Sequence, residues 1–174
     1  MTTMTATVVD VRPAEAADAG QLLALLMQLA TESNTFTVDD GLGELSEADE
    51  RQQIEQITRT TTNTIFVAAL GDQLIGIGTV QATDALIKQQ GEVGVAVLKQ
   101  YWGAGLGTAL VEELMTWFRD FSTLKQLTLT VQTRNHRAVK LYQRLGFKQV
   151  LPTPYEVVDP TGKKVLAVDM TLDL

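Results

Sequence analysis

The stretch Val93–Leu114, VGVAVLKQYWGAGLGTALVEEL, changes its hydrophobic period within a few residues. Val93, Val95 and Val97 alternate as strand residues do, whereas Leu106, Leu110, Leu114 and then Phe118 recur at every fourth position, as the apolar stripe of a helix does. Between the two patterns stand Gly103, Gly105 and Gly107. A strand-to-helix connection needs one flexible residue at most, so alternating glycines imply that something approaches this backbone closely. A helix start leaves about four N–H groups without intrahelical partners and carries roughly half a positive charge. Glycines let an anion reach that end, although glycines that merely ease a tight turn are the plainer reading on spacing alone.

Two familiar phosphate loops fail here. A P-loop requires Gly-Lys followed by Ser or Thr, and Gly107 is followed directly by Thr108. A dinucleotide fingerprint requires Gly-x-Gly-x-x-Gly and an acidic residue about 20 positions on. The spacing here is Gly-x-Gly-x-Gly, and the next strand ends in Val131-Gln132 without a carboxylate.

Working outward, Ala6–Arg12 reads as a first strand closed by Pro13, and Ala14–Ala30 carries leucines and Met27 at helical spacing. The polar stretch TESNTFTVDDGLGELSEADE reads as a loop entering a second helix over Ser46–Thr60, with Ser46 and Asp49 as a capping start. TIFVAAL and QLIGIGTVQA flank Gly71-Asp72 as a hairpin. EVGVAV, QLTLTVQ, Phe147–Leu151 and Lys164–Leu172 supply further strands, NHRAVKLYQRLGF a compact helix, and a Pro-rich loop separates the last two strands. The order β-α-α-β-β-β-α-β-α-β-β predicts a mixed sheet covered by helices, an α/β (α+β) fold in one domain spanning residues 1–174.

Composition narrows the chemistry. The chain has no cysteine and a single histidine, His136, which excludes thiolate nucleophiles and leaves too few ligands for a His-rich metal site; no metal is expected. A formal charge of -7 argues against broad nucleic-acid binding and is compatible with cationic small molecules. The longest apolar run, LLALLM at 22–27, is far below the about 18 residues of a membrane span, so a soluble cytoplasmic protein without membrane partners is expected.

VAVLKQYWGAGLG resembles the Q/R-x-x-G-x-G/A signature of the GNAT superfamily of N-acetyltransferases through Gln100, Gly103 and Gly105. A second signature, N-x-x-A-x-x-L-Y-x-x-x-G-F, is matched by Asn135, Ala138, Leu141, Tyr142, Gly146 and Phe147. The two lie one strand apart in the family's order. The resemblance implies a GNAT-like fold: a central mixed, mostly antiparallel sheet flanked by helices, with two parallel strands, Glu92–Val97 and Gln126–Gln132, splayed to form an acetyl-CoA cleft.

It further implies acetyl-CoA as cosubstrate. The backbone of Val95, Ala96 and Val97 would pair with the pantetheine arm, and N–H groups over Gly103, Ala104, Gly105, Leu106, Gly107 and Thr108 would hold the pyrophosphate. Asn135 would contact the cosubstrate, besides serving as an N-cap, and Gly146 reads as the glycine that ends the helix. Tyr142 matches the general acid, because a phenol of pKa about 10 stays protonated at neutral pH and can donate to a departing thiolate. His136 reads as a first-turn surface residue.

The implied activity is acetyl transfer to a primary amine of a small molecule or peptide by direct attack in a ternary complex. A lysine-like amine costs about 4.6 kcal/mol to deprotonate at pH 7, an α-amine only about 1 kcal/mol, so a base matters more for the first. Some relatives place a glutamate five residues before the motif asparagine; here that residue is Thr130, which leaves Glu92, water or a residue of the second helix. The acidic run Asp39, Asp40, Glu44, Glu47, Asp49 and Glu50 reads as a solvated face or as an attractor of a cationic amine. The alternatives are a non-catalytic acyl-CoA-binding module and an assembly protein whose motifs serve packing only. A homodimer is expected from the resemblance.

Overall fold

The computed structural model describes residues 8–32, 45–84 and 89–174. Its strands are β1 (Val9–Pro13), β2 (Thr64–Leu70), β3 (Gln73–Ala82), β4 (Gln90–Val97), β5 (Gln126–Gln132), β6 (Lys148–Gln149), β7 (Tyr155–Val158) and β8 (Lys164–Asp173). The helices are α1 (Ala19–Glu32), α2 (Glu47–Thr58), α3 (Leu106–Asp120) and α4 (His136–Arg144). The strands form one sheet in the order β1-β2-β3-β4-β5-β8-β6, with β7 on β8. All neighbours are antiparallel except β4 and β5. This is the mixed, mostly antiparallel sheet flanked by helices that the sequence predicts.

The order of elements follows from local chemistry. After Thr64, TIFVAAL is apolar because β2 is buried on both faces, packed against α3 and α2, while α1 packs on β3. Leu22, Leu25 and Leu29 give α1 its buried stripe, and Leu110, Val111, Leu114 and Phe118 do the same for α3. Each such side chain contributes about 1.5–3 kcal/mol by leaving water. Leu110 and Leu114 pack over Gly76 and Gly78 of β3: a Cβ at either glycine would lie 3.2 Å from a leucine methyl. Gly91 is tighter still, at 2.6 Å from both Leu124 and Val80, so it draws helix-side packing down onto β4 where β4 and β5 are still paired.

Three expectations shift. Pro13 ends β1 from inside it, opposite Phe66, which is tolerated because β1 is the sheet edge and the missing N–H faces no partner strand; Ala6 and Thr7 lie outside the described residues. The first helix begins later than Ala14, after a 3₁₀ turn at Ala16–Asp18 whose Asp18 is pinned by Arg12 at 2.7 and 2.8 Å. The region read as a Pro-rich loop contains β7, a strand of four residues between Pro154 and Pro160, while the expected strand Phe147–Leu151 shrinks to Lys148–Gln149. Pairing with β8 makes β7; the local sequence is too short and too proline-bounded to announce it.

Candidate active site

Register places the cleft. β4 and β5 pair only over Gln90, Gly91 and Glu92 with Gln126, Leu127 and Thr128; beyond that both strands continue, to Val97 and Gln132, without pairing to each other. β4 stays bound to β3 on its other side through Gly76↔Val97, and the Leu98 N–H reaches Ile75 O at 2.9 Å. Since residues of an antiparallel strand alternate the side to which their N–H and C=O point, Val95 and Val97 aim theirs at the gap. The Val97 carbonyl already has one donor, the Trp102 indole Nε1–H at 2.7 Å.

The glycines lie at the mouth of this gap. After the 3₁₀ turn Lys99–Tyr101, in which Gln100 is exposed, Gly103 and Gly105 adopt φ of +85° and +78°, a region costly to any residue with a Cβ. Nothing lies within 4 Å of where a Cβ would stand at either. Gly105 is the N-cap of α3 and provides no side-chain cap; the first helical bond is Ala109 N–H to Gly105 O at 3.0 Å. The N–H groups of Leu106, Gly107 and Thr108 therefore face outward without intrahelical partners. Gly107 has an ordinary negative φ, and a Cβ there would touch Leu141 at 3.5 Å, so nothing inside the fold demands glycine at that position. Arg144 of α4 donates to Thr108 Oγ1 at 3.1 Å and sets a guanidinium beside this helix start. The positive end of a helix repels a cation, so that placement suits an anion lying between them. Arg144 went unread in the sequence because the contact joins two helices across β5.

Tyr142 is fixed by the residues of the second signature. Asn135 Oδ1 accepts the Ala138 N–H at 3.3 Å and starts α4 as an N-cap. At the other end, Gly146 N–H reaches Gln143 O at 3.1 Å and Phe147 N–H reaches Tyr142 O at 3.0 Å, with Gly146 at φ +101°. That is a Schellman closure, and its accompanying apolar contact is the Tyr142–Phe147 pair, rings edge to face at 5.6 Å. Tyr142 is 9% exposed; burial pushes its phenol up to about 12. Its hydroxyl has no hydrogen-bond partner among the described residues, yet no buried side-chain oxygen there is left unsatisfied, so the oxygen sits at an opening rather than sealed in the core. Leu141, the preceding residue, borders Gly107, which brings this helix against the first turn of α3. His136 is exposed, as expected.

On the sheet face opposite α3, Glu92, Thr130, Asp169 and Tyr155 share one surface. Asp169 Oδ1 accepts from Thr130 Oγ1 and from Tyr155 Oη, each at 2.6 Å. The Asp169 hydrogen bond, then burial, raise the Tyr155 phenol, and the Glu92 charge adds to the effect. Among the described residues neither Asp169 nor Glu92 has a Lys or Arg within ion-pair distance. The acidic run is different. Glu47 pairs with Arg51 at 3.6 Å, Asp49 closes the capping box of α2, and Glu50 is buried with its carboxyl pushed up by desolvation. Asp39, Asp40 and Glu44 lie outside the described residues.

The remaining buried carboxylate supports the frame. Asp159, in the β7–β8 turn, accepts from the Thr161 hydroxyl and N–H, the Lys163 N–H and the Arg134 guanidinium, which hold it well below the usual carboxylate range. It ties that hairpin to the loop that carries Asn135.

A parted parallel pair followed by an uncapped, glycine-lined helix start defines a class, and comparison with known proteins agrees. The family model described as "Acetyltransferase (GNAT) family" matches residues 23–147, and the chain belongs to that family. It is 35% identical over 75 residues to an N-alpha-acetyltransferase of Sulfurisphaera tokodaii, a match spanning 43% of this chain and 45% of that protein. The chain thus spans less than half the length of the curated N-alpha-acetyltransferases it matches. A GNAT-family acetyltransferase structure from Streptococcus pneumoniae superposes with a TM-score of 0.85 over 96% of this chain and 100% of that one, at 28% identity. A Salmonella typhimurium protein solved with its cofactor acetyl-CoA shares the fold at a TM-score of 0.78 and 16% identity, over 97% of this chain and 95% of that one.

Proposed function

We propose that the protein, as a single domain, transfers an acetyl group from acetyl-CoA to a primary amine of a small molecule or peptide within a ternary complex. The observation that carries this reading is the start of α3: three outward N–H groups, uncapped, at the mouth of the gap between β4 and β5. That donor set fits a diphosphate, and Arg144 adds charge to it. The strand edge at Val95, Ala96 and Val97 fits an arm that carries amides, and Asn135 sits at the same end of β5.

The thioester supplies an activated acyl group; the chain's task is to position and to move protons. The acceptor nitrogen forms the C–N bond as the C–S bond breaks, an N–H of the β4 edge donates to the carbonyl oxygen, and Tyr142 gives its proton to the departing sulfur. Burial that raises the phenol raises a thiol in the same surroundings too, so donor and acceptor shift together. Glu92 and Asp169, carboxylates on one face without cationic partners among the described residues, favour an ammonium acceptor and offer its proton a destination. We place the enzyme in the cytoplasm, where its cosubstrate is made, as a homodimer without nucleic-acid partners, in keeping with the charge of -7. Among the described residues no helix is long and apolar enough to cross a membrane.

A panel of cationic, neutral and anionic amines assayed for thiol release from acetyl-CoA tests the reading. Turnover is expected with cationic primary amines; thiol release with none of them, despite coenzyme A binding, would leave a binding module in place of an enzyme.

A further inference from the structure

The bond from the Trp102 indole to Val97 O spans the cleft edge and has no role in the chemistry above. Val97 O lies on the side of β4 that loses its partner strand after Glu92, and a half-buried carbonyl without a donor is costly. Trp102 meets that need at 2.7 Å, yet the residue is 51% exposed. Among the described residues its ring packs edge or face on no other aromatic. Gly103 follows at φ +85°, with open space where a Cβ would be, so the residue after Trp102 adds no side chain at the cleft edge.

A strand-like partner lies about 4.8 Å from its neighbour. A ring whose nitrogen is 2.7 Å from Val97 O extends through that lane. An amide-bearing arm laid along β4 and the indole thus compete for the same strip of space, even though a carbonyl oxygen has two lone pairs. Resting on the acetyl-CoA reading above, we propose that Trp102 is a positioning residue that holds the cleft-facing carbonyl of Val97 until the arm of coenzyme A takes it, so that cosubstrate entry releases the indole. The indole keeps the edge satisfied and ordered in the free protein, and the arm pays for its displacement.

Calorimetry and tryptophan fluorescence on the native protein and on Trp102→Phe test this, with coenzyme A and with ADP, which has the pyrophosphate but not the arm. Removing the competing donor should tighten coenzyme A about fivefold and leave ADP affinity unchanged. Native emission should change with coenzyme A and not with ADP; the change should vanish in Trp102→Phe, where Trp117 alone emits. Weaker binding of both ligands by the variant would make the indole a buttress of the glycine loop and overturn the proposal. Equal coenzyme A affinity in the two proteins, or heat of binding without a change in emission, would overturn it while leaving the acetyl-CoA reading intact. No heat from native protein and coenzyme A would sink that reading and the proposal together.

Discussion

At the start of α2, Ser46 Oγ accepts the Asp49 N–H at 3.1 Å and Asp49 accepts the Ser46 N–H at 3.4 Å. At the start of α3, Gly105 contributes no side chain and the first three N–H groups are left facing outward. Both helices pose the same problem of orphaned donors. The first solves it within the chain; the second leaves its donors open, which is where we propose that the diphosphate docks. Side chains divide the same way. Asp159 is saturated by four donors, whereas the Tyr142 hydroxyl, on a residue that is also buried, has none among the described residues. The Asp159 network holds the fold, whereas the open N–H groups of α3 and the Tyr142 hydroxyl are groups that the proposed reaction uses.

The division predicts that the two kinds of position respond in opposite ways to substitution. Tyr142→Phe removes an unpartnered hydroxyl, so turnover should fall about 10²-fold while coenzyme A affinity and thermal stability at neutral pH stay close to native. Steady-state kinetics beside calorimetry and a melting curve will show it; loss of stability in step with turnover would put the hydroxyl among the structural groups.

Next comes the alkaline behaviour of the same residue. The folded phenol titrates near 12 and the unfolded one near 10, so below pH 10 both states keep the proton, and between those values the unfolded chain releases it first. Native stability should therefore fall relative to Tyr142→Phe by roughly 2 kcal/mol over that interval, read from urea unfolding at each pH. Parallel curves would mean that the phenol is well solvated.

Gly107→Ala separates binding from folding. With a negative φ and ordinary contacts at the new methyl, the helix should gain about 0.5 kcal/mol, while coenzyme A binding weakens about tenfold because the methyl stands before an N–H needed by the diphosphate. Unchanged affinity would return the glycine to a packing role. Ser46→Ala is the smallest and the mirror image: about 1 kcal/mol of stability lost, coenzyme A affinity unaltered.

Much of this was legible in the sequence because it is local. The glycine spacing announced an open helix start, Ser46 with Asp49 announced a cap, and Asn135 and Gly146 marked both ends of α4, all of which rest on residues a few positions apart. What stayed hidden depends on register between distant strands. Asp169 meets Thr130 only because β8 returns beside β5, and Arg144 meets Thr108 only because α4 settles against α3. β7 was hidden for a related reason: YEVV becomes a strand through its partner Lys164–Ala167, not through its own pattern. In the described half of the acidic run, Glu47 and Asp49 are exposed, as a solvated face requires, while Glu50 turns inward, which the charge pattern does not show.

The most direct measurement is amide NMR during titration with coenzyme A, comparing Leu106, Gly107 and Thr108 with Asp49. The account predicts large shifts and slowed hydrogen exchange at the three α3 amides while Asp49, already bonded to Ser46, does not move. Saturation with coenzyme A that left those three amides as fast and as unshifted as before would contradict it.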